Sequence, residues 1–245
     1  MTGNSPPPAR TSLRPGQGRE EPLTRALVLS TALSIIDEEG AEGLSMRRLG
    51  KALDRNPMTL YRYAANKAAL LDGVVETMLG QIVIEPSDHD WREQLHTVAY
   101  EYRRLALEHP NMVPLLVTRP LSTPLGLRPP GTLRYLEAIL ELLIGAGFAA
   151  ADALHIFRAV FGFLNGHILN ELQEIVENPA ETDDLLRLGL HRLPLVEFPR
   201  LRSMATIMAN YDGLDELEKG LSILLDGLAT AVPPADTPPL AIPIA

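Results

Sequence analysis

From Thr24 to Ala231 apolar residues return every three or four positions, and no run of alternating β-branched and polar residues is long enough to support a sheet. This periodicity predicts an all-α fold. The two ends differ in character: Pro6, Pro7, Pro8, Pro15 and Pro22 crowd residues 1–22, and Pro233, Pro234, Pro238, Pro239 and Pro243 crowd residues 232–245. Both are expected to be disordered or extended tails. With 245 residues, 46% of them hydrophobic, the chain can bury a core and can hold a small domain joined to a larger one.

Thr24 is placed to cap a first helix whose inner stripe is Val28, Ala32, Ile35 and Ile36, ended by Gly40. Ser45 is a second cap. Its helix, Ser45 to Leu53, buries Met46, Leu49 and Leu53, and Asp54, Arg55 and Asn56 then form a three-residue turn. Asn56 caps the next helix and Pro57 occupies its first turn, where a missing N–H costs nothing. That helix is expected over Pro57 to Ala64, with Leu60 and Ala64 inward and Met58, Thr59, Tyr61 and Tyr63 outward. Two short helices joined by three residues form a helix-turn-helix, in which the second helix enters the major groove of duplex DNA. Thr59 and Met58 suit base edges and the thymine methyl group, while Tyr61, Tyr63 and Lys67 suit phosphate oxygens.

Later helices are expected at Asn66–Ile84, His89–Glu108, Asn111–Val117, Thr132–Ala146, Ala149–Val176, Pro199–Asn210 and Asp212–Ala231. Breaks are expected at Arg119–Gly131, with its prolines, and at Asn178–Phe198. Small residues Gly162 and Gly166 and the stripe Leu217, Leu221, Leu224, Leu225 and Leu228 suggest that the last two long helices pair with a second copy of the chain. Packing within one chain would use the same faces.

The net charge of −9 argues against nucleic acid only until its distribution is considered. Residues 1–80 carry ten Lys and Arg against nine Asp and Glu, whereas 81–245 carry twelve against twenty-two. Between Ser45 and Lys67 six bases (Arg47, Arg48, Lys51, Arg55, Arg62 and Lys67) face one acid, Asp54. DNA phosphates respond to the field within a Debye length, about 8 to 10 Å, so a local cationic island suffices. A solvated helix face would have the same composition.

Several classes are set aside. The absence of cysteine removes disulfides, Cys-zinc sites and thiol nucleophiles. The longest apolar run, Leu142 to Ala151, is about half of what a bilayer span needs, and the first sixteen residues have no secretory apolar core, so a cytoplasmic protein without membrane contact is expected. Six histidines (His89, His96, His109, His155, His167 and His191) show no i, i+4 pair, and the hydrolase elbow, P-loop and dinucleotide signatures are missing. No catalytic residue, metal or cofactor is expected.

The segments ALSIIDEEGAEGLSMRRLGKAL, PMTLYRY and NKAALLDGV resemble the tetracycline-repressor (TetR) family of bacterial transcription regulators over about Leu23–Gly80. The resemblance implies that Arg47 touches DNA from the second helix, and that Thr59, Tyr61, Tyr63 and Lys67 stand where the family reads bases or clamps phosphates; Pro57 and Met58, at the start of the same helix, are also expected to meet DNA. Gly50 and Arg55-Asn56 depart from the family's usual Ala and Gly-Val.

A weaker resemblance to the tetracycline repressors' own branch continues through DWREQLHTVAYEYRRLALEHP, VTRP, AGFAAADAL and GLSILLDGL. It implies domains at 23–80 (three-helix helix-turn-helix, DNA-binding) and 81–231 (helical, ligand-binding and dimerisation). The branch's metal-binding His and Glu fall at Leu115 and Asn170, and other drug-contacting positions at Val83, Val98 and Ile139. A metal-chelated drug is therefore not expected. The expected pocket lining is Val98, Tyr102, Leu115, Thr118, Arg119, Ile139, Phe157 and Phe161, although Val98, Tyr102, Phe157 and Phe161 would look the same in a ligand-free core. Thr118, Arg119 and Pro120 match the branch's moving segment, whereas Asn165 and His167 read as ordinary polar groups at a helix interface. The implied function is a homodimeric repressor that binds a palindromic double-stranded DNA operator and is released by a small, largely apolar effector. The alternative is an all-α small-molecule-binding module or enzyme with a vestigial helix-turn-helix.

Overall fold

The computed structural model describes residues 22–84, 90–122, 128, 130–176, 192–208 and 210–233. The tails expected at 1–22 and 232–245 lie outside these residues except for Pro22, Val232 and Pro233. Every described element is helical: α1 (Arg25–Gly43), α2 (Met46–Ala52), α3 (Pro57–Leu60), α4 (Lys67–Leu79), α5 (Trp91–Glu108), a 3-10 turn (Pro110–Met112), α6 (Val113–Ser122), α7 (Pro130–Gly145), α8 (Ala150–Val176), α9 (Pro199–Ser203), α10 (Ala205–Met208) and α11 (Gly213–Ala231).

Side-chain caps decide where most of these helices begin. Thr24 accepts from the Leu27 N–H at 3.1 Å, Ser45 from Arg48 at 3.1 Å, Asn56 from Met58 at 2.9 Å and Asn66 from Ala69 at 2.8 Å. Asp90 caps α5, and Asp212 caps α11 by accepting from both Leu214 and Asp215. At Gly40 the backbone takes φ 73°, so α1 kinks there, and the segment to Gly43 is a separate short turn.

One hydrophobic cluster runs from Val28 in α1 to Leu228 in α11 without a gap. In it α1 packs on α2, on α4 and on the 3-10 turn, α4 packs on α6 and α7, and α8 packs on α5, α7 and α11. The guanidinium of Arg103 on α5 forms a bidentate pair with Glu171 on α8, the one charged residue buried among the described residues.

Three expectations on helix extent need correction. Residues 57–64 do not form one helix: α3 ends at Leu60, and the Tyr63 N–H bonds to the carbonyl three residues back, at Leu60, a tighter geometry. Pro120 does not end the helix before it, because α6 continues to Ser122; a proline there removes one backbone bond, and the neighbouring turns hold. The helix expected over 199–210 is two short ones, Pro199–Ser203 and Ala205–Met208, interrupted at Met204.

Candidate functional site

The turn between α2 and α3 positions the N-terminal site. Leu53 ends α2 and Asp54 takes φ 51°; the Arg55 N–H then reaches the Gly50 carbonyl at 2.9 Å and the Asp54 N–H reaches Lys51 at 3.4 Å. These two bonds form a Schellman stop with aspartate in the position that usually holds glycine. A Cβ at Gly50 would stand 2.8 Å from the Arg55 carbonyl oxygen and 3.1 Å from the Pro57 ring, so the tight turn needs glycine there. Gly50 and Arg55, where the sequence departs from the family pattern, therefore meet in one contact.

Beyond the turn, Leu60 and Ala64 are buried, while Met58 is 72% and Tyr61 45% exposed. Arg47 is exposed, Thr59 and Pro57 are half-buried, and Lys67 lies 3.8 Å from Glu42 at the start of α4. Arg48 is held by Glu39 at 2.7 Å, whereas Arg47, Lys51 and Arg62 have no acidic partner among the described residues. Tyr63 departs from the expectation of an outward hydroxyl. Its O–H donates to the Leu23 carbonyl at 2.6 Å, tying this turn to the start of α1, and its single proton is thereby spent.

The second site is a cavity of about 370 Å³ bounded by α5, α6, α7, α8 and one face of α4. From α4 come Asp72, Val75 and Leu79, and from α6 Leu116 and Val117. The α7 wall holds Thr132, Leu133, Tyr135 and Leu136, and the α8 wall holds Phe157, Arg158, Phe161, Gly162 and Asn165; Tyr102 of α5 and Arg128 complete it. Phe161 is the hub of an aromatic cluster, meeting Tyr102 at 6.0 Å and Tyr135 at 5.5 Å edge-on and Phe157 at 4.6 Å. Burial pushes both tyrosine hydroxyls well above their ordinary pKa, with the neighbouring Tyr102 adding to the effect on Tyr135, so both remain protonated donors. The Tyr102 hydroxyl donates to Asn165 Oδ1 at 2.8 Å, and Asn165 lines the cavity.

Of the eight residues expected to line a pocket, Tyr102, Phe157 and Phe161 do so. Val98 and Ile139 are wholly inside the core, one turn away from the space. Leu115 packs against the core, and Leu116 and Val117 line the space in its place. Thr118 is exposed and donates to the Pro114 carbonyl; the side chain of Arg119 lies outside the described residues. Asn165 belongs to the cavity and not to a plain helix interface. The α4 residues had no separate signal in the sequence, since Leu79 and Val75 follow the same spacing as that helix's core face. Val83 is 66% exposed, and among the described residues no three His, Asp or Glu side chains gather as a metal site.

A helix-turn-helix with an exposed second helix, joined through α4 to a helical bundle that encloses a cavity, defines a ligand-responsive transcriptional regulator. Residues 28–74 match the bacterial regulatory proteins of the tetR family, and residues 85–232 match the tetracyclin repressor-like C-terminal domain. The chain is 31% identical to the tetracycline repressor protein class C of Escherichia coli over 84% of its own length and 90% of that protein's. It is 29% identical to the HTH-type transcriptional repressor DrrR1 of Streptomyces coeruleorubidus, over 91% and 83%. The structure of the TetR family protein ActR of Streptomyces coelicolor in complex with actinorhodin superposes with a TM-score of 0.73 at 28% identity, covering 87% of this chain and 98% of that one. The chain belongs to the tetR family. Among the described residues no helix is long and apolar enough to cross a membrane.

Proposed function

We propose that the chain is a cytoplasmic homodimeric repressor without a catalytic step, with residues 23–80 as the DNA-binding unit and 81–231 as the ligand-binding and dimerisation unit. Arg47, Pro57, Met58, Thr59, Tyr61 and Lys67 meet the operator, and the cavity bounded by α4, α7 and α8 takes a small effector with a large apolar face. The observation that carries this reading is that α4 supplies Asp72, Val75 and Leu79 to the cavity and begins at Lys67, just past the recognition turn. A ligand that displaces the C-terminal half of α4 changes the separation of the two recognition helices, which must be about 34 to 36 Å to meet successive major grooves.

The energetics are of the right size. Switching occupancy from 1:99 to 99:1 takes about 5.5 kcal/mol of preference for the released state. Burying ~100 Å² more apolar surface in each of two cavities contributes roughly 2.5 kcal/mol per site. ActR's complex with actinorhodin shows a relative of this shape holding an organic ligand. The test is a screen of aromatic and amphipathic compounds for thermal stabilisation, repeated with EDTA and with Phe161→Ala. Stabilisers should release operator DNA without a divalent cation and lose their effect in Phe161→Ala; stabilisers that all require the cation, or that leave DNA affinity unchanged, overturn the reading.

A further inference from the structure

A second cavity, of about 460 Å³, lies between the start of α1, the end of α4 and the first turns of α7. Leu79 and Tyr135 line both this space and the first cavity, so these two side chains stand between them. The Tyr135 hydroxyl oxygen is sealed from water and has no hydrogen-bond partner among the described residues. Leaving a buried hydroxyl unmatched is unfavourable, so a partner arriving with a ligand is favoured. Each space alone is at the lower end of the range of about 300–1,000 Å³ typical of ligand pockets, and together they lie near the upper end.

The chambers differ in chemistry. The first presents aromatic edges around Phe161. The second has an apolar floor at Ile82, Ile84 and Ala138, and a rim of two arginines and one acid. Arg25 is bound to Glu76 at 2.9 Å, while Arg134 is exposed and has no partner among the described residues. The excess cation asks for an anion at the end of an apolar arm.

We propose that the two cavities are chambers of one effector site divided by Leu79 and Tyr135, and that its ligand is an aromatic compound with an acidic side arm. This rests on the reading of the first cavity as the effector site. The aromatic body fills the first chamber, Leu79 and Tyr135 swing aside to open the junction, where the Tyr135 O–H donates to an acceptor oxygen of the ligand, and the arm ends at Arg134. There the acid also competes with Glu76 for Arg25, which loosens a tie between α1 and α4.

Three dansyl probes test this by fluorescence titration of the full chain: dansylamide, dansyl-hexylamide and dansyl-6-aminohexanoic acid. The acid should bind wild type at least tenfold tighter than the hexylamide, and Arg134→Ala should reduce that gap to within twofold without changing hexylamide binding. Leu79→Trp, which fills the junction, should bring both armed probes to the level of dansylamide. Arg134 is a surface residue, so its variant decides the matter even if Leu79→Trp misfolds. Equal binding of acid and hexylamide to wild type, or a gap that persists in Arg134→Ala, overturns the two-chamber site while dansylamide binding still supports the first cavity. If dansylamide does not bind either, the effector reading of the first cavity fails and the two-chamber site fails with it.

Discussion

His109 Nδ1 lies 2.9 Å from Asp37 Oδ2, and the amide of Asn111 donates to the Asp37 backbone carbonyl at 2.8 Å, so the turn after α5 grips a single residue of α1. Asp37 belongs to the N-terminal family match and His109 to the C-terminal one, so the pair joins the two matched segments. Asp37→Ala leaves the partly buried imidazole without its partner while the Asn111 bond, made to the backbone, survives. The expected cost is about 1–2 kcal/mol in urea unfolding. Effector-driven release should also weaken, with more effector needed for half-release while DNA affinity without effector stays within threefold. Release unchanged alongside the stability loss would assign the pair a purely structural role.

The two tyrosines of the recognition turn should separate cleanly. Tyr61 is exposed and Tyr63 is bonded to Leu23, so Tyr61→Phe should weaken operator binding with no change in Tm, and Tyr63→Phe should cost about 0.5–1.5 kcal/mol of stability with DNA binding little affected. Lys67→Ala should reduce the salt slope of log K by about one per subunit for all sequences alike, whereas Thr59→Ala should change base preference. Mobility shifts from 50 to 200 mM salt, over which affinity should fall ~10³ to 10⁵-fold if the dimer makes about 6 to 10 phosphate contacts, check all four.

The N-terminal unit was legible because its signals are local. Ser45, Asn56, Pro57 and Asn66 act within three residues of themselves, and each caps or starts a helix as its side chain dictates. The cavity was not, because its walls come from five helices and Arg128, and spacing along one helix does not reveal which apolar face meets empty space. Val98, Ile139 and Phe161 satisfy the same periodicity, yet only Phe161 borders the cavity. The inward hydroxyl of Tyr63 was hidden for a related reason: its acceptor is forty residues away.

The α11 stripe shows the same ambiguity, with a consequence for dimerisation. Leu217, Leu221 and Leu225 are wholly buried within one chain against α8, so Leu221→Glu with Leu225→Glu should unfold the effector bundle, not give folded monomers. The faces left for a partner are those of Gly166 and Leu169 on α8 and of Ile223 and Gly227 on α11. At the two glycines a Cβ would meet nothing within 4 Å, and Ile223 is 74% exposed. Gly166→Glu, which lies off the cavity wall, with Ile223→Glu should yield helical monomers by sedimentation and circular dichroism. A persistent dimer would place the interface elsewhere.

The α2–α3 turn offers a change that stabilises and one that disrupts. Asp54 holds a left-handed backbone conformation without the freedom of glycine, inside a Schellman stop whose geometry glycine fits best. Asp54→Gly should therefore stabilise by about 0.5–1 kcal/mol, read as a rise in Tm. It also removes the single acid from the stretch between Ser45 and Lys67, so operator affinity should rise most at low salt, where that repulsion of phosphate is least screened. Asp54→Asn removes the charge but keeps a Cβ, and should reproduce the affinity gain with a smaller gain in Tm. Gly50→Ala acts in the opposite direction: its methyl group would stand 2.8 Å from the Arg55 carbonyl, a backbone atom that moves only with the turn. The expected loss is about 1–3 kcal/mol, and operator affinity should fall as α3 is displaced. Urea melts and binding isotherms at two salt concentrations distinguish these outcomes. A Gly50→Ala protein as stable and as tight on DNA as wild type would show that the turn does not need the close approach.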